Sequence, residues 1–342
     1  MRIRTFVGLV VGFFVSVPAG LADNGDAFRE DHPESYTVER GDTLWDISER
    51  FLEEPWLWPE IWHVNPDIEN PHLIYPGDEI RLVYVDGEPR LTVDRGQRTV
   101  KLSPEVREEE LEPAISTIPM EAIRPFLDRT RAVDESTLED APYVVGGADE
   151  RVLSSRGDRI YVRNVDEDSA STLALVRRGD PYVDPETGDV LGLEARYLGT
   201  AEIQRRGDPA TAMVMRSNRE IRTGDRLLEQ ESGSIRTEFQ PKAPDAEIDG
   251  LIIDVLDGVS QIGQFDVVVL NRGTSDSLAE GDVLAIYEAG REIQDDIAEE
   301  TVTLPGERAG ELIVFRTYER LSFALVMNAN RAIQIQDQVR NP

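Results

Sequence analysis

The chain has 342 residues, with 67 Asp and Glu against 36 Lys and Arg, for a formal net charge of −31. That balance disfavours nucleic acid and anionic lipid as partners, since both call for clustered positive charge. Cysteine is absent and only three histidines occur, which removes thiol nucleophiles, thiolate metal sites, disulfide frameworks and a lipidated N-terminal cysteine.

Residues 1–22 read as an export signal. Arg2 and Arg4 form a positive head, Phe6 to Val17 an apolar stretch, and Gly20-Leu21-Ala22 a small-residue cleavage site. The apolar stretch is short for a bilayer span, and no later one approaches ~18 uninterrupted apolar residues. The mature chain is therefore expected in the periplasm, not spanning the membrane.

From Tyr36 to Leu82 the order is strand, helix, helix, strand. Tyr36-Thr37-Val38 alternates and stops at the turn pair Gly41-Asp42. Asp42 or Thr43 caps the first helix, Asp46 stands at capping-box spacing from Thr43, and Leu44, Ile47 and Phe51 share one face. Pro55-Trp56-Leu57-Trp58-Pro59 breaks the chain before a second helix that ends at Asn65-Pro66. Leu73-Ile74-Tyr75-Pro76-Gly77-Asp78 then turns into a strand over 79–82.

This ordered pattern resembles the LysM module, a βααβ domain that binds glycans containing N-acetylglucosamine. The resemblance covers residues 36–83. It implies a shallow sugar groove between two loops, which map here onto Gly41, Asp42, Thr43 and Leu44 on one side and Pro71, His72, Leu73, Ile74 and Tyr75 on the other. Tyr75 is the leading side-chain contact. Eleven acids face three arginines between residues 36 and 82, which suits a neutral acetamido sugar held by backbone groups and disfavours polyanionic wall polymers. Trp56, Trp58 and Trp62 are expected as core anchors more than sugar platforms. His63 and His72 lack a matching third ligand, so no metal and no cofactor are expected.

Residues 84–139 read as an acidic connector. Glu105, Glu108, Glu109, Glu110 and Glu112 precede Pro113 and Pro119, and such composition self-repels and extends. Leu91-Thr92-Val93 and Thr99 to Leu102 suggest a small hairpin, and Met120 to Leu127 a short helix interrupted by Pro125. A connector of this kind predicts halves that fold and bind separately.

Beyond residue 140 short alternating strands separated by Gly and Asp predict small barrel-like, SH3-like β modules at 140–232 and 245–342. The first set is Arg159 to Arg163, Thr172 to Val176, Ala201 to Ile203, Ala212 to Met215 and Asp225 to Leu228. The second is Leu251 to Val255, Phe265 to Leu270, Val283 to Tyr287, Glu311 to Phe315, Phe323 to Met327 and Ala332 to Ile335. Thr211 to Leu227 laid on Phe323 to Val339 gives seven identities in seventeen positions without a gap, which favours a duplicated module. Arg178-Gly179-Asp180 and Glu280-Gly281-Asp282 are read as further counterparts.

The whole, including the run Ala309 to Val326, is similar to the LysM protein family associated with the type IV pilus secretin. The C-terminal part of that family resembles the C-terminal barrel of a flagellar basal-body protein. The resemblance implies a non-catalytic adaptor that joins peptidoglycan glycan strands to an outer-membrane secretin ring. The competing readings are a LysM-tethered glycosidase working through carboxylates and a wall-binding spacer without a secretin partner. Glu202, Glu220, Asp225 and Glu280 read as solvated acids, against the glycosidase.

Overall fold

The computed structural model describes residues 27–62, 73–85, 87–94, 114–127, 130–148, 151–230, 239–256, 261–290, 292–295 and 300–342. The export signal lies outside the described residues. No helix among the described residues is long and apolar enough to cross a membrane.

The N-terminal unit runs β1 (Ser35–Thr37), α1 (Leu44–Phe51), a 3₁₀ turn over Pro55–Leu57, α2 (Trp58–Ile61), β2 (Glu79–Val85) and β3 (Glu88–Asp94). Its small antiparallel sheet is ordered β1-β2-β3. The core holds Val38, Leu44, Ile47, Phe51, Trp58, Ile61, Trp62, Ile74, Ile80 and Leu91. Trp58 and Trp62 meet edge to face at 6.2 Å, as befits aromatic anchors in a small domain. The hairpin expectation needs correction. Leu91-Thr92-Val93 lies in β3 and pairs with β2, so this strand extends the N-terminal sheet beyond residue 83 and does not form a hairpin of the connector. Thr99 to Leu102 and the acidic run 105–112 lie outside the described residues.

After α3 (Met120–Leu127), which continues through Pro125, come β4 (Thr130–Val133), α4 (Glu135–Asp140), β5 (Tyr143–Gly147), β6 (Leu153–Ser154) and β7 (Arg159–Arg163). The long pair β8 (Thr172–Val183) and β9 (Val190–Arg205) follows, then β10 (Ala210–Ser217), β11 (Ile221–Arg222) and β12 (Arg226–Glu229). Six strands close a ring in the order β5-β7-β10-β9-β8-β12, and β4 adds to β9 outside it. β4 and Leu138 of α4 therefore pack with this ring, so the connector is shorter than the expected 84–139.

The C-terminal ring contains β13 (Asp249–Val255), β14 (Val267–Leu270), β15 (Val283–Tyr287), the excursion β16 (Glu292–Asp295) and β17 (Glu300–Thr303), then β18 (Arg308–Thr317), β19 (Ser322–Ala329) and β20 (Gln338–Arg340). It is a closed barrel ordered β13-β14-β19-β18-β15-β20. Numbered within each ring, both follow the order 1-2-5-4-3-6. Local details correspond as well. Val214 N–H donates to the Asp158 carbonyl at 3.0 Å and Val326 N–H to Asp266 at 3.0 Å. Arg222 N–H donates to the Asp225 carboxylate at 2.7 Å and Gln334 N–H to Asp337 at 2.8 Å.

Two details of the sequence reading change. Gly179-Asp180 sits inside β8, whereas Gly281-Asp282 forms the turn before β15. The counterpart of Asp282 is Ser171, because Ile203 N–H donates to Ser171 and Val314 N–H to Asp282, each at 2.8 Å. Ala332 to Ile335 is not a strand; Ile333 forms an isolated bridge with Ile262.

The halves are not separate. Strands β14, β15, β18 and β19 are apolar on both faces. Inward side chains such as Val268, Leu284, Leu312, Val314 and Ala324 fill the barrel. Outward ones, including Val267, Val269, Ile313, Phe323 and Leu325, join a second cluster with Trp45 and Trp56 of the N-terminal unit, Ile118 and Ile123 of the connector, and Tyr182 of β8. Tyr182 meets Phe323 edge to face at 6.2 Å. Arg308 reaches Glu54 at 3.5 Å across this contact and also pairs with Glu311. Burial pushes the Glu311 carboxyl above its ordinary range, against the pull of Arg308. The acidic composition argued for a loose spacer, but Ile118 and Ile123 after the acid-rich run pack against the barrel wall together with Trp45 and Trp56.

Candidate glycan-binding groove

Two loops of the N-terminal unit are built alike. Gly41 and Gly77 adopt φ of +98° and +91°, the left-handed region that favours glycine. The following aspartate folds back in each. Asp42 accepts the Glu39 N–H at 2.8 Å, and Asp78 accepts the Tyr75 N–H at 3.1 Å. Val38 ties the loops together, donating to the Asp78 carbonyl at 2.8 Å and accepting from Gly77 N–H at 2.8 Å. The predicted residues Gly41 to Leu44 and Leu73 to Tyr75 thereby come to one end of the domain. Pro71 and His72 lie outside the described residues.

The side chains have structural duties. Thr43, not Asp42, caps α1: its hydroxyl accepts the Asp46 N–H at 3.2 Å, and the Asp46 carboxylate accepts the Thr43 N–H at 3.0 Å. Asp42 also accepts from the Tyr36 hydroxyl at 2.9 Å. Burial and this contact raise the Tyr36 phenol above its usual range, while Arg50 lies over the ring at 4.4 Å. Leu44 and Ile74 are buried in the core, so they offer the groove backbone groups only. Leu73 is exposed and Tyr75 half-buried. Thr43→Ala is thus expected to cost about 1 kcal/mol of unfolding free energy through the lost cap, measured as a lower urea midpoint.

The backbone groups between the loops are not open to solvent. Leu44 and Trp45 are the first two residues of α1, whose N–H groups have no partner within the helix. Leu44 N–H donates to the Ser116 carbonyl at 2.9 Å and Trp45 N–H to the Thr117 carbonyl at 3.1 Å. From the opposite loop the Ile74 carbonyl accepts the Ile115 N–H at 2.8 Å. Residues 114–118 lie across the groove, bending at Thr117 and Ile118, with Ile115, Thr117 and Ile118 buried. Sequence reasoning missed this occupant and Trp45. The available signals were the Ile115-Ser116-Thr117-Ile118 stretch between two prolines and the Trp45, Ser48, Leu52 stripe beside the main apolar face of α1.

The carboxylates elsewhere behave like those of the groove. Asp158, Asp225, Asp266, Asp276, Asp282 and Asp337 each accept the N–H three residues earlier at 2.7–2.9 Å. Asp225 is buried and accepts from Arg177 Nε and Nη2, each at 2.8 Å, which corrects its reading as a solvated acid. Glu202, Glu220 and Glu280 are exposed. Of the histidines, His32 stacks edge to face on Phe28 at 5.9 Å, while His63 and His72 lie outside the described residues. No group of three potential metal ligands is found among the described residues.

Comparison with known proteins agrees with this geometry. A 60-residue stretch is 37% identical to the uncharacterized protein YqbP of Bacillus subtilis (strain 168) and covers 15% of this chain. The chain spans 27% of the length of that curated relative. Residues 36–83 match the LysM domain model. The chain therefore carries a LysM domain at residues 36–83, the module whose presence suggests peptidoglycan binding.

Proposed function

We propose that the chain is a non-catalytic, periplasmic peptidoglycan-binding adaptor that links the cell wall to an outer-membrane secretin ring of type IV pili. The observation that carries the wall-binding part is the LysM match, together with two glycine-aspartate loops that converge on one backbone-lined groove. Gly41 to Leu44 and Pro71 to Tyr75 are the proposed glycan-contacting segments.

The non-catalytic part is supported by the carboxylates. Most aspartates at the turns are spent on holding backbone N–H groups, a structural duty that competes with acid–base work. A protein partner is supported by the first ring, where Val145, Tyr161 and Met215 are exposed on the adjacent strands β5, β7 and β10. The shared strand order and matching turns support descent of the two rings from one duplicated SH3-like barrel.

The test is cosedimentation of the mature protein with purified sacculi, followed by capture of solubilised outer membrane on the bound protein. The expected outcome is a pellet containing the protein and the secretin ring, no release of muropeptides, and weak dependence on salt, because the ligand is neutral. Soluble wall fragments would restore the glycosidase. Wall binding without the ring would leave the spacer.

A further inference from the structure

We propose that residues 114–118 are a built-in competitor for the LysM groove, so that this domain binds glycan only when its own chain is displaced. The proposal rests on the glycan-binding reading above and adds its regulation. A neutral acetamido sugar must be recognised through an amide carbonyl and an amide N–H. The segment presents the same groups: the Ser116 and Thr117 carbonyls accept from Leu44 and Trp45, and the Ile115 N–H donates to Ile74. The Leu44 and Trp45 N–H groups and the Ile74 carbonyl are thus already satisfied, and a ligand that needs them must first remove their present partners.

The occupant is tied to more than the groove. Ile115 packs into the LysM core, while Ile118, three residues on, lies in the cluster shared by Trp45, Trp56, Phe315 and Phe323. Pulling the segment away therefore uncovers apolar surface between the LysM domain and the C-terminal barrel. Groove opening and undocking of LysM from that barrel are coupled. By linkage, whatever separates them raises glycan affinity, and glycan favours their separation to the same degree. Apparent affinity in the resting chain is reduced by the fraction of molecules that are open.

The test titrates the full chain and two variants with the tetramer of N-acetylglucosamine. Ile115→Pro removes the N–H that holds Ile74, and Ile115→Gly removes the buried side chain but keeps the N–H. Both are expected to bind the tetramer at least tenfold more tightly than the parent chain, with melting curves verifying that they remain folded. An experiment on the unaltered protein covers the case in which the variants fail to fold. At saturating tetramer, amide hydrogen exchange over 114–118 should rise. Equal affinities in folded variants, or exchange over 114–118 that stays the same or slows while the tetramer binds, would overturn the competitor assignment and leave glycan binding standing. No binding by any of the folded proteins would instead overturn the glycan reading on which it rests.

Discussion

Trp45→Ala is expected to lower the unfolding free energy by about 3–5 kcal/mol, the range for truncating a buried tryptophan. Trp45 is 2% exposed, yet its side chain belongs to the cluster it shares with the C-terminal barrel. The loss should therefore appear in probes of that barrel as well as of the LysM domain. Urea titrations followed by tryptophan fluorescence and by amide exchange in β18 and β19 would check this, with both midpoints moving together. A shift confined to the LysM signal would mean that the two parts unfold separately.

Truncation of the C-terminal barrel is expected to bare an apolar face. Deleting residues 245–342 leaves the LysM domain its own core but strips the cover from Trp45, Trp56, Ile118, Ile123 and Tyr182. A contiguous apolar face of this kind drives association in water. The truncated chain is expected to bind a hydrophobic dye and to elute from a sizing column as oligomers or aggregates. A monomeric, dye-negative fragment would restore the picture of two independently folding halves.

That picture came from the sequence, and the reason it failed is physical. The LysM turns were legible because local chemistry dictates them: glycine at positive φ, aspartate folding onto the N–H three residues back, and Thr43 with Asp46 closing a capping box. The barrel strands were legible from their apolar content and the Gly and Asp between them. The runs Val267 to Leu270, Val283 to Ile286 and Leu312 to Phe315 are continuous rather than alternating, however, and every residue in them is buried. Such runs mark strands covered on both faces, so the outer wall of the C-terminal barrel needed a partner from elsewhere. In this fold that partner includes LysM and the connector. The acid-rich composition near residue 110 concealed the role of the four residues from Ile115 to Ile118.

The two loops were taken from the LysM resemblance, which does not give the roles of their side chains. Thr43 and Asp42 are committed to the backbone of their own loop, and Leu44 and Ile74 face the core. What these four residues leave for a ligand is main chain, whose partners depend on which distant segment lies against it. No local pattern in residues 36–83 reports that Ser116 and Thr117 are those partners.

If residues 114–118 close the LysM groove, amide hydrogen exchange at Leu44 and Trp45 in the free full-length protein reports it. Both N–H groups sit in the first turn of α1, where an uncovered helix end exchanges freely with solvent. Slow exchange is expected at both, comparable to that of interior strand amides such as Val268 and Ile313. Exchange as fast as at an exposed loop amide would contradict it.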